Sequence, residues 1–331
     1  MTRVVLSNDK SFDAPPSSTI LDAARAAGIV LEHSCKTGRC GTCKARVLRG
    51  ATTPIGDDTS LSPAEREAGF ILTCTTAAVD EVHLDIEDVS LLADFPSRTT
   101  PCRIDALDRP APDVLRISLR FPPKAAPRYL PGQYVDIVGP NSVRRSYSVA
   151  NAPSDDGKLE LHIREVPGGT LSAYWFGAAK AGDLLRLEGP KGTFFLRDVA
   201  GLDLVFLATG TGIAPVKALL EGLAHRVEPG LPRSVTVLWG GRTPQDLYWQ
   251  PTMDGPVALE YVPVLSRADA DWTGARGHVQ DVLLQRAPDL ARCVVYACGS
   301  ETMIENASSR LLAAGLSAKR FFSDAFVSSS V

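Results

Sequence analysis

A chain of 331 residues, 44% apolar and 22% charged, is long enough to bury two or three separate cores. Its formal charge of -3 leaves no electrostatic footprint for nucleic acid, and no apolar run approaches the length that spans a bilayer. Met1 to Phe12 carries Asp9 and lacks the apolar core of a secretion signal, so a cytoplasmic protein is expected.

Residues 1–90 read as a small α+β domain. Arg3 to Leu6 is a strand, Pro15-Pro16-Ser17-Ser18 a turn, and Thr19 to Ala27 an Ala-rich helix stopped by Gly28. Then comes Cys35-Lys36-Thr37-Gly38-Arg39-Cys40-Gly41-Thr42-Cys43, with Cys74 much further on. The spacing C-x4-C-x2-C with a distant fourth cysteine is that of a plant-type [2Fe–2S] site, which makes Cys35, Cys40, Cys43 and Cys74 the candidate metal ligands. Backbone N–H groups must turn inward towards such a cluster, and Gly38, Gly41 and Thr42 are small enough to let them. A structural zinc site would pair two short C-x2–4-C units, and only one is present. The total of seven cysteines leaves Cys102, Cys293 and Cys298 over, which argues against a disulfide framework. Ser62-Pro63-Ala64-Glu65 is a capping box with proline at the first helical position, and His83 to Glu87 alternates as a closing strand. The domain holds nine Lys/Arg against thirteen Asp/Glu, net -4, yet Lys36, Arg39, Lys44 and Arg46 crowd the cysteine loop.

Residues 91–101 break both periodicities and read as a linker. In the domain 102–200, Val114 to Phe121, Tyr134 to Val138 and Leu159 to Val166 alternate apolar and polar residues between Pro/Gly turns, the pattern of a small antiparallel β-barrel. In the domain 201–331 the pattern changes to continuous apolar strands, Leu204 to Ala208, Val235 to Trp239, Val257 to Val264 and Cys293 to Ala297. Helices Pro215 to Leu223, His278 to Leu284 and Glu301 to Ala314 fit between them. This is a doubly wound parallel sheet, a class that binds nucleotides at the carboxyl ends of its strands. The fold class expected is therefore multidomain α/β.

The barrel holds Arg145-Ser146-Tyr147-Ser148, a cation, a flat aromatic and hydroxyls that suit a pyrophosphate and a flavin. Alone, the tetrapeptide is better explained by half-exposed strand packing. Gly168-Gly169-Thr170-Leu171-Ser172 follows the strand that carries His162, a further candidate for cofactor contact. That turn opens a helix, so free N–H groups there can take a phosphate or simply be capped. Gly210-Thr211-Gly212 sits directly after the first parallel strand, where a glycine turn lets a flat ligand approach the backbone. Trp239-Gly240-Gly241-Arg242 ends the second strand, where the far end of a dinucleotide would lie; Arg242 is equally consistent with a solvated loop charge. One cation there is few for a 2′-phosphate, so NADH is expected over NADPH.

In combination these motifs resemble the iron–sulfur flavoprotein reductases, in which a plant-type ferredoxin domain of β-grasp fold precedes a ferredoxin-NADP reductase-like module. The likeness covers essentially the whole chain and rests on RxYS, GGxxS, GTGIAPV, Cys298-Gly299 and the triplet Asp324-Ala325-Phe326. Arg144 to Pro153, Tyr296 to Ser300 and Phe321 to Val327 are most similar to the branch of CDP-6-deoxy-3,4-glucoseen reductases, electron donors in 3,6-dideoxyhexose synthesis. The resemblance implies that Arg145 holds FAD phosphate, Tyr147 stacks on the flavin ring and Ser148 lies near its N5. It further implies that Gly169 to Ser172 take the pyrophosphate, Gly210 to Pro215 the nicotinamide side, and Cys298 the locus of hydride transfer. Asp324 stands where plant-type reductases have Glu, and Phe326 where they have a terminal aromatic.

A nicotinamide gives up two electrons at once and a [2Fe–2S] cluster accepts one at a time, whereas a flavin can do both. The expected path is NAD(P)H to FAD to cluster to a separate terminal acceptor protein. That acceptor is a CDP-6-deoxyhexulose dehydratase on the closest resemblance, or a Rieske-type or diiron oxygenase. A redox sensor or an electron-carrying subunit of a larger complex is the reading from a different class.

Overall fold

The computed structural model describes all residues except 34, 35, 40, 42, 140, 141, 228, 229 and 327–331, and the chain falls into two compact units, Met1–Pro96 and Ser97–Val331. In the first, β1 (Thr2–Val5) and β2 (Ser11–Ala14) form a hairpin whose Val4, Phe12 and Ala14 turn inward. Helix α1 (Ile20–Ala26) follows; Thr19 caps it by accepting the Asp22 N–H at 3.0 Å, and Gly28, at φ 75°, lets the chain leave it. Its Ile20, Leu21, Ala23 and Ala24 are buried against the sheet, the amphipathic stripe that fixes the helix there.

The unit continues through β3 (Lys44–Arg49), β4 (Thr52–Pro54), α2 (Pro63–Glu67), β5 (Phe70–Leu72), β6 (Thr76–Ala78) and β7 (Val82–Asp85). The main sheet has the order β2-β1-β7-β3-β5, with β1 and β7 parallel and the other pairs antiparallel; α1 packed across it completes a β-grasp. Helix α2 buries none of its residues and rests on the capping box read from the sequence. Ser62 accepts the Glu65 N–H at 3.2 Å and Glu65 accepts the Ser62 N–H at 2.8 Å.

The second unit opens with β8 (Arg98–Ala111), which starts inside the segment read as a linker because Thr99 and Thr100 pair with Glu188 and Leu187. With β9 (Val114–Arg120), β10 (Tyr134–Val138), β11 (Arg144–Ser148), β12 (Leu159–Arg164) and, after helix α3 (Thr170–Ala173), β13 (Leu184–Lys191), it makes an antiparallel six-stranded sheet ordered β11-β10-β13-β8-β9-β12. The two edge strands meet: Val149 bridges Leu161, and the Ala150 N–H donates to the Glu160 carbonyl at 2.8 Å, which closes the barrel. Ile104, Ile117, Leu119, Val135, Ile137, Leu161 and Leu187 fill it. The helix read over Leu171 to Ala178 begins as α3 and widens into a π turn over Tyr174–Ala178.

The last part alternates strand and helix: β14 (Asp203–Thr209), α4 (Ile213–Ala224), β15 (Ser234–Gly241), β16 (Leu259–Leu265), β17 (Ala275–Arg276), α5 (Val279–Gln285), β18 (Cys293–Ser300), α6 (Glu301–Ala313) and β19 (Phe321–Phe326). All six strands run parallel, in the order β17-β16-β15-β14-β18-β19. Alternate residues of β14 serve opposite cores: Leu204, Phe206 and Ala208 pack with α4, while Val205 and Leu207 pack with α5 and α6. Both faces are covered, which explains the unbroken apolar runs of the sequence.

Candidate active site

At the cysteine loop of the first unit, Cys43 and Cys74 are buried with their Sγ atoms 3.2 Å apart. Unbonded thiols at that distance suit two ligands of one metal ion; Cys35 and Cys40 lie outside the described residues. The loop is drawn tight at Gly38, at φ 73°, where a Cβ would stand 1.8 Å from the Asp57 carbonyl oxygen, so only glycine fits. Lys44, next to Cys43, pairs with Glu65 of the α2 cap. The hydrogen bond from Lys44, then that from the Ser62 N–H, hold the Glu65 carboxyl down to about 2. Arg46 donates to the Ala68 carbonyl at 3.1 Å. Of the four cations that crowd the motif, Lys36, Arg39 and Arg46 are exposed and Lys44 is half-buried.

In the second unit, the barrel and the parallel sheet meet at the carboxyl ends of β14 and β18. Gly212 is forced: a Cβ there would stand 2.2 Å from the Cys298 carbonyl oxygen. Gly299, at φ 146°, lies equally close to Thr209, where a Cβ would meet Oγ1 at 2.1 Å. The Gly210 carbonyl accepts from Trp239 Nε1 at 3.0 Å. Beside this seam, Cys298 on β18 is the register partner of Asp324 on β19, and Ser148 of the barrel donates to Asp324 Oδ2 at 3.4 Å. The structure therefore brings Ser148, Gly210, Thr211, Gly212, Cys298 and Asp324 to one place.

The electrostatics there are set by dehydration. Burial pushes the Asp324 carboxyl up to about 6, the Ser148 hydrogen bond opposing it, and raises the Cys298 thiol well above its ordinary value, helped by the Asp324 charge. Tyr147 accepts from Trp175 Nε1 at 3.0 Å, and burial pushes its phenol up to about 12. Among the other candidates on β11, Arg145 is exposed and donates to the Arg144 carbonyl at 2.8 Å, whereas Ser146 donates to Asp136 at 2.6 Å. Gly168, at φ 76°, has open space above it, Gly169 and Thr170 begin α3, Leu171 is buried in the barrel, and Ser172 Oγ accepts the Val166 N–H at 2.8 Å. Phe326 packs half-buried at the edge of the nucleotide-sheet core. The exposed guanidinium and the open glycine turn fit a phosphate, and the glycine seam fits a flat ring laid on backbone.

Two further candidates lie away from this seam. His162 turns outward from the barrel, its ring nitrogens taken by Glu160 and Tyr248 at 2.8 and 3.1 Å. Arg242 is exposed beyond β15; its N–H donates to Asp246 at 2.7 Å, and Arg267 from the end of β16 bonds its carbonyl, adding a cation that the linear count missed. Sequence reasoning also passed over Arg164, which bonds Asp113 and Asp246 at 2.7 and 3.4 Å and whose Nη1 would lie 2.9 Å from a Cβ on Gly210. The available signal was the run of polar residues 160, 162 and 164 on one face of a barrel strand.

Three family models tile the chain: a 2Fe-2S iron-sulfur cluster binding domain over residues 4–79, an oxidoreductase FAD-binding domain over 101–196 and an oxidoreductase NAD-binding domain over 206–309. The chain belongs to the iron–sulfur flavoprotein reductases, and is an NAD(P)H-dependent oxidoreductase built for a [2Fe–2S] cluster and FAD. It is 41% identical to the CDP-6-deoxy-L-threo-D-glycero-4-hexulose-3-dehydrase reductase of Yersinia pseudotuberculosis serotype I over 96% of both chains. It is 31% identical to the terephthalate 1,2-dioxygenase reductase component 1 of Comamonas sp, over 97% of this chain and 96% of that one. Among solved structures, a ferredoxin reductase in carbazole 1,9a-dioxygenase matches with a TM-score of 0.66 at 25% identity, covering 98% of each chain. Among the described residues no helix is long and apolar enough to cross a membrane.

Proposed function

We propose that this reductase, in the cytoplasm, feeds electrons to a CDP-6-deoxyhexulose dehydratase of dideoxysugar synthesis. The observation that carries the reading is the 41% identity to a reductase named for such a dehydrase, over 96% of both chains. The flavin and the cluster together turn a two-electron hydride into single electrons.

The chain's own residues supply binding and protons. Arg145 and the Gly168–Ser172 turn hold the flavin's phosphates, and Tyr147, kept protonated by burial, lies against its ring. The Gly210–Gly212 turn offers bare backbone to the nicotinamide, while the loop around Arg242 takes the far end of the dinucleotide. Asp324, with its carboxyl near 6, holds a proton at neutral pH for part of the population and passes it through the Ser148 hydroxyl. Cys298 stays a neutral thiol and fills the floor of the site without charge. Cys35, Cys40, Cys43 and Cys74 hold the cluster.

The test is reconstitution of the purified chain with a CDP-6-deoxyhexulose dehydratase, following NADH consumption and formation of the deoxygenated sugar. Coupled turnover supports the reading. Failure there, with coupled hydroxylation by a Rieske-type oxygenase, replaces it with the second reading, which the 31% identity to a dioxygenase reductase component supports.

A further inference from the structure

Strand β12 alternates as a barrel strand must: Leu159, Leu161 and Ile163 point into the barrel core, so Glu160, His162 and Arg164 share the opposite face. That face is only partly solvated, with His162 buried and Glu160 and Arg164 half-buried. Each of its three side chains grips a different part of the nucleotide half. Glu160 pairs with Lys217 of α4 at 3.3 Å, His162 meets Tyr248 at 3.1 Å, and Arg164 meets Asp246 at 3.4 Å. Lys217 is itself held by the Ala150 carbonyl at 3.1 Å and by Glu221 at 2.7 Å, and Glu221 accepts the Ala152 N–H at 2.8 Å.

The chemistry fixes the direction of the central contact. Glu160, held below its usual range by His162 and Lys217 against the opposing effect of burial, is a carboxylate and can only accept, so His162 Nε2 carries the proton. Burial lowers the His162 pKa and keeps the ring neutral, which leaves Nδ1 as an acceptor for the Tyr248 hydroxyl. Tyr248 is two residues beyond Asp246, and Asp246 accepts the N–H groups of Arg242 and Thr243 at 2.7 and 3.0 Å. A chain of contacts therefore runs from the flavin barrel to the backbone of the loop after β15.

We propose that the outward face of β12 is a positioning clasp, in which Glu160, His162 and Arg164, gripping Lys217, Tyr248 and Asp246, fix the Gly241–Asp246 loop for the dinucleotide. The clasp rests on the reading that this loop receives the far end of NAD(P)H. It sets affinity for the nucleotide and leaves the reacting atoms alone, so its residues are positioning residues.

The experiment uses the holoprotein with NADH as donor and ferricyanide as acceptor. Tyr248→Phe deletes the hydroxyl that His162 accepts from, and should raise KM for NADH about fivefold with kcat unchanged. His162→Gln should raise KM by a similar factor, and the double variant should be no worse than the worse single one, since both break one contact. Arg242→Ala, made in parallel, tests the loop itself. If Arg242→Ala raises KM while Tyr248→Phe and His162→Gln do not, the clasp is overturned and the loop reading stands. If none of the three changes KM, both fall. Additive effects of the two clasp variants, or equal losses in kcat and melting temperature without a KM shift, reduce the face to ordinary packing and overturn the proposal.

Discussion

Ser148 and Asp324, 176 residues apart in sequence, meet at 3.4 Å where the barrel touches the last strand of the parallel sheet. The acid is short and its surroundings are dry, so its carboxyl is raised from 3.8 to about 6. A raised carboxyl costs nothing while it is protonated; the cost begins as pH climbs past the unfolded value, and is complete above about 6. Asp324→Asn should therefore be more stable than the native protein at pH 7, by on the order of 2 kcal/mol, and no different below pH ~4. Denaturant midpoints of both proteins across that range check it; a difference that does not change with pH would refute the assignment.

The cluster loop makes a second expectation. Cys40→Ser should bleach the iron–sulfur absorption while reduction of the flavin by NAD(P)H is nearly intact, because the two groups belong to separately packed units. Iron analysis decides it, and undiminished iron in the variant would remove Cys40 from the ligand set.

For the flavin, Arg145→Ala deletes an exposed cation offered to a phosphate. Losing a charge-assisted hydrogen bond, worth on the order of 2 kcal/mol, should weaken FAD binding roughly thirtyfold. Fluorescence titration of the flavin-stripped protein measures it, and unchanged affinity would return Arg145 to the surface.

Docking is the remaining prediction. With Lys44 bound to Glu65, the cationic rim of the cluster loop is Lys36, Arg39 and Arg46, all exposed, set in a domain of net charge -4. Arg39→Glu should slow electron transfer to the acceptor protein and flatten its dependence on salt, leaving ferricyanide reduction alone. Should both partner turnover and its salt response be unaltered, these cations serve only to offset the cluster's own charge.

What the sequence displays are features written within a few residues: the cysteine spacing, the Ser62–Glu65 capping box, the glycine turn after β14 and the two kinds of strand pattern. Each follows from local geometry; the capping box, the glycine turn and the strands lie where they are expected, while Cys35 and Cys40 of the cysteine motif lie outside the described residues. The pairing of Ser148 with Asp324 and of Arg242 with Arg267 depends on which strands become neighbours, which no local pattern encodes. The alternation along β12 is legible in the sequence, but period two says only that a side chain leaves the barrel, not that another domain waits there. The sequence offers His162 as a candidate for cofactor contact, and the structure gives its ring to Glu160 and Tyr248.

The three cysteines outside the metal loop also have a consequence for handling the protein. Burial pushes the Cys102 and Cys293 thiols up to about 12 and about 11, and Cys298 is raised as well, so at neutral pH almost none of them is the reactive anion. Alkylating reagents and peroxide, which attack that anion, find these sites silent while the fold holds. Thiol labelling of the native chain thus becomes a gauge of cluster integrity, reading near zero until iron is lost.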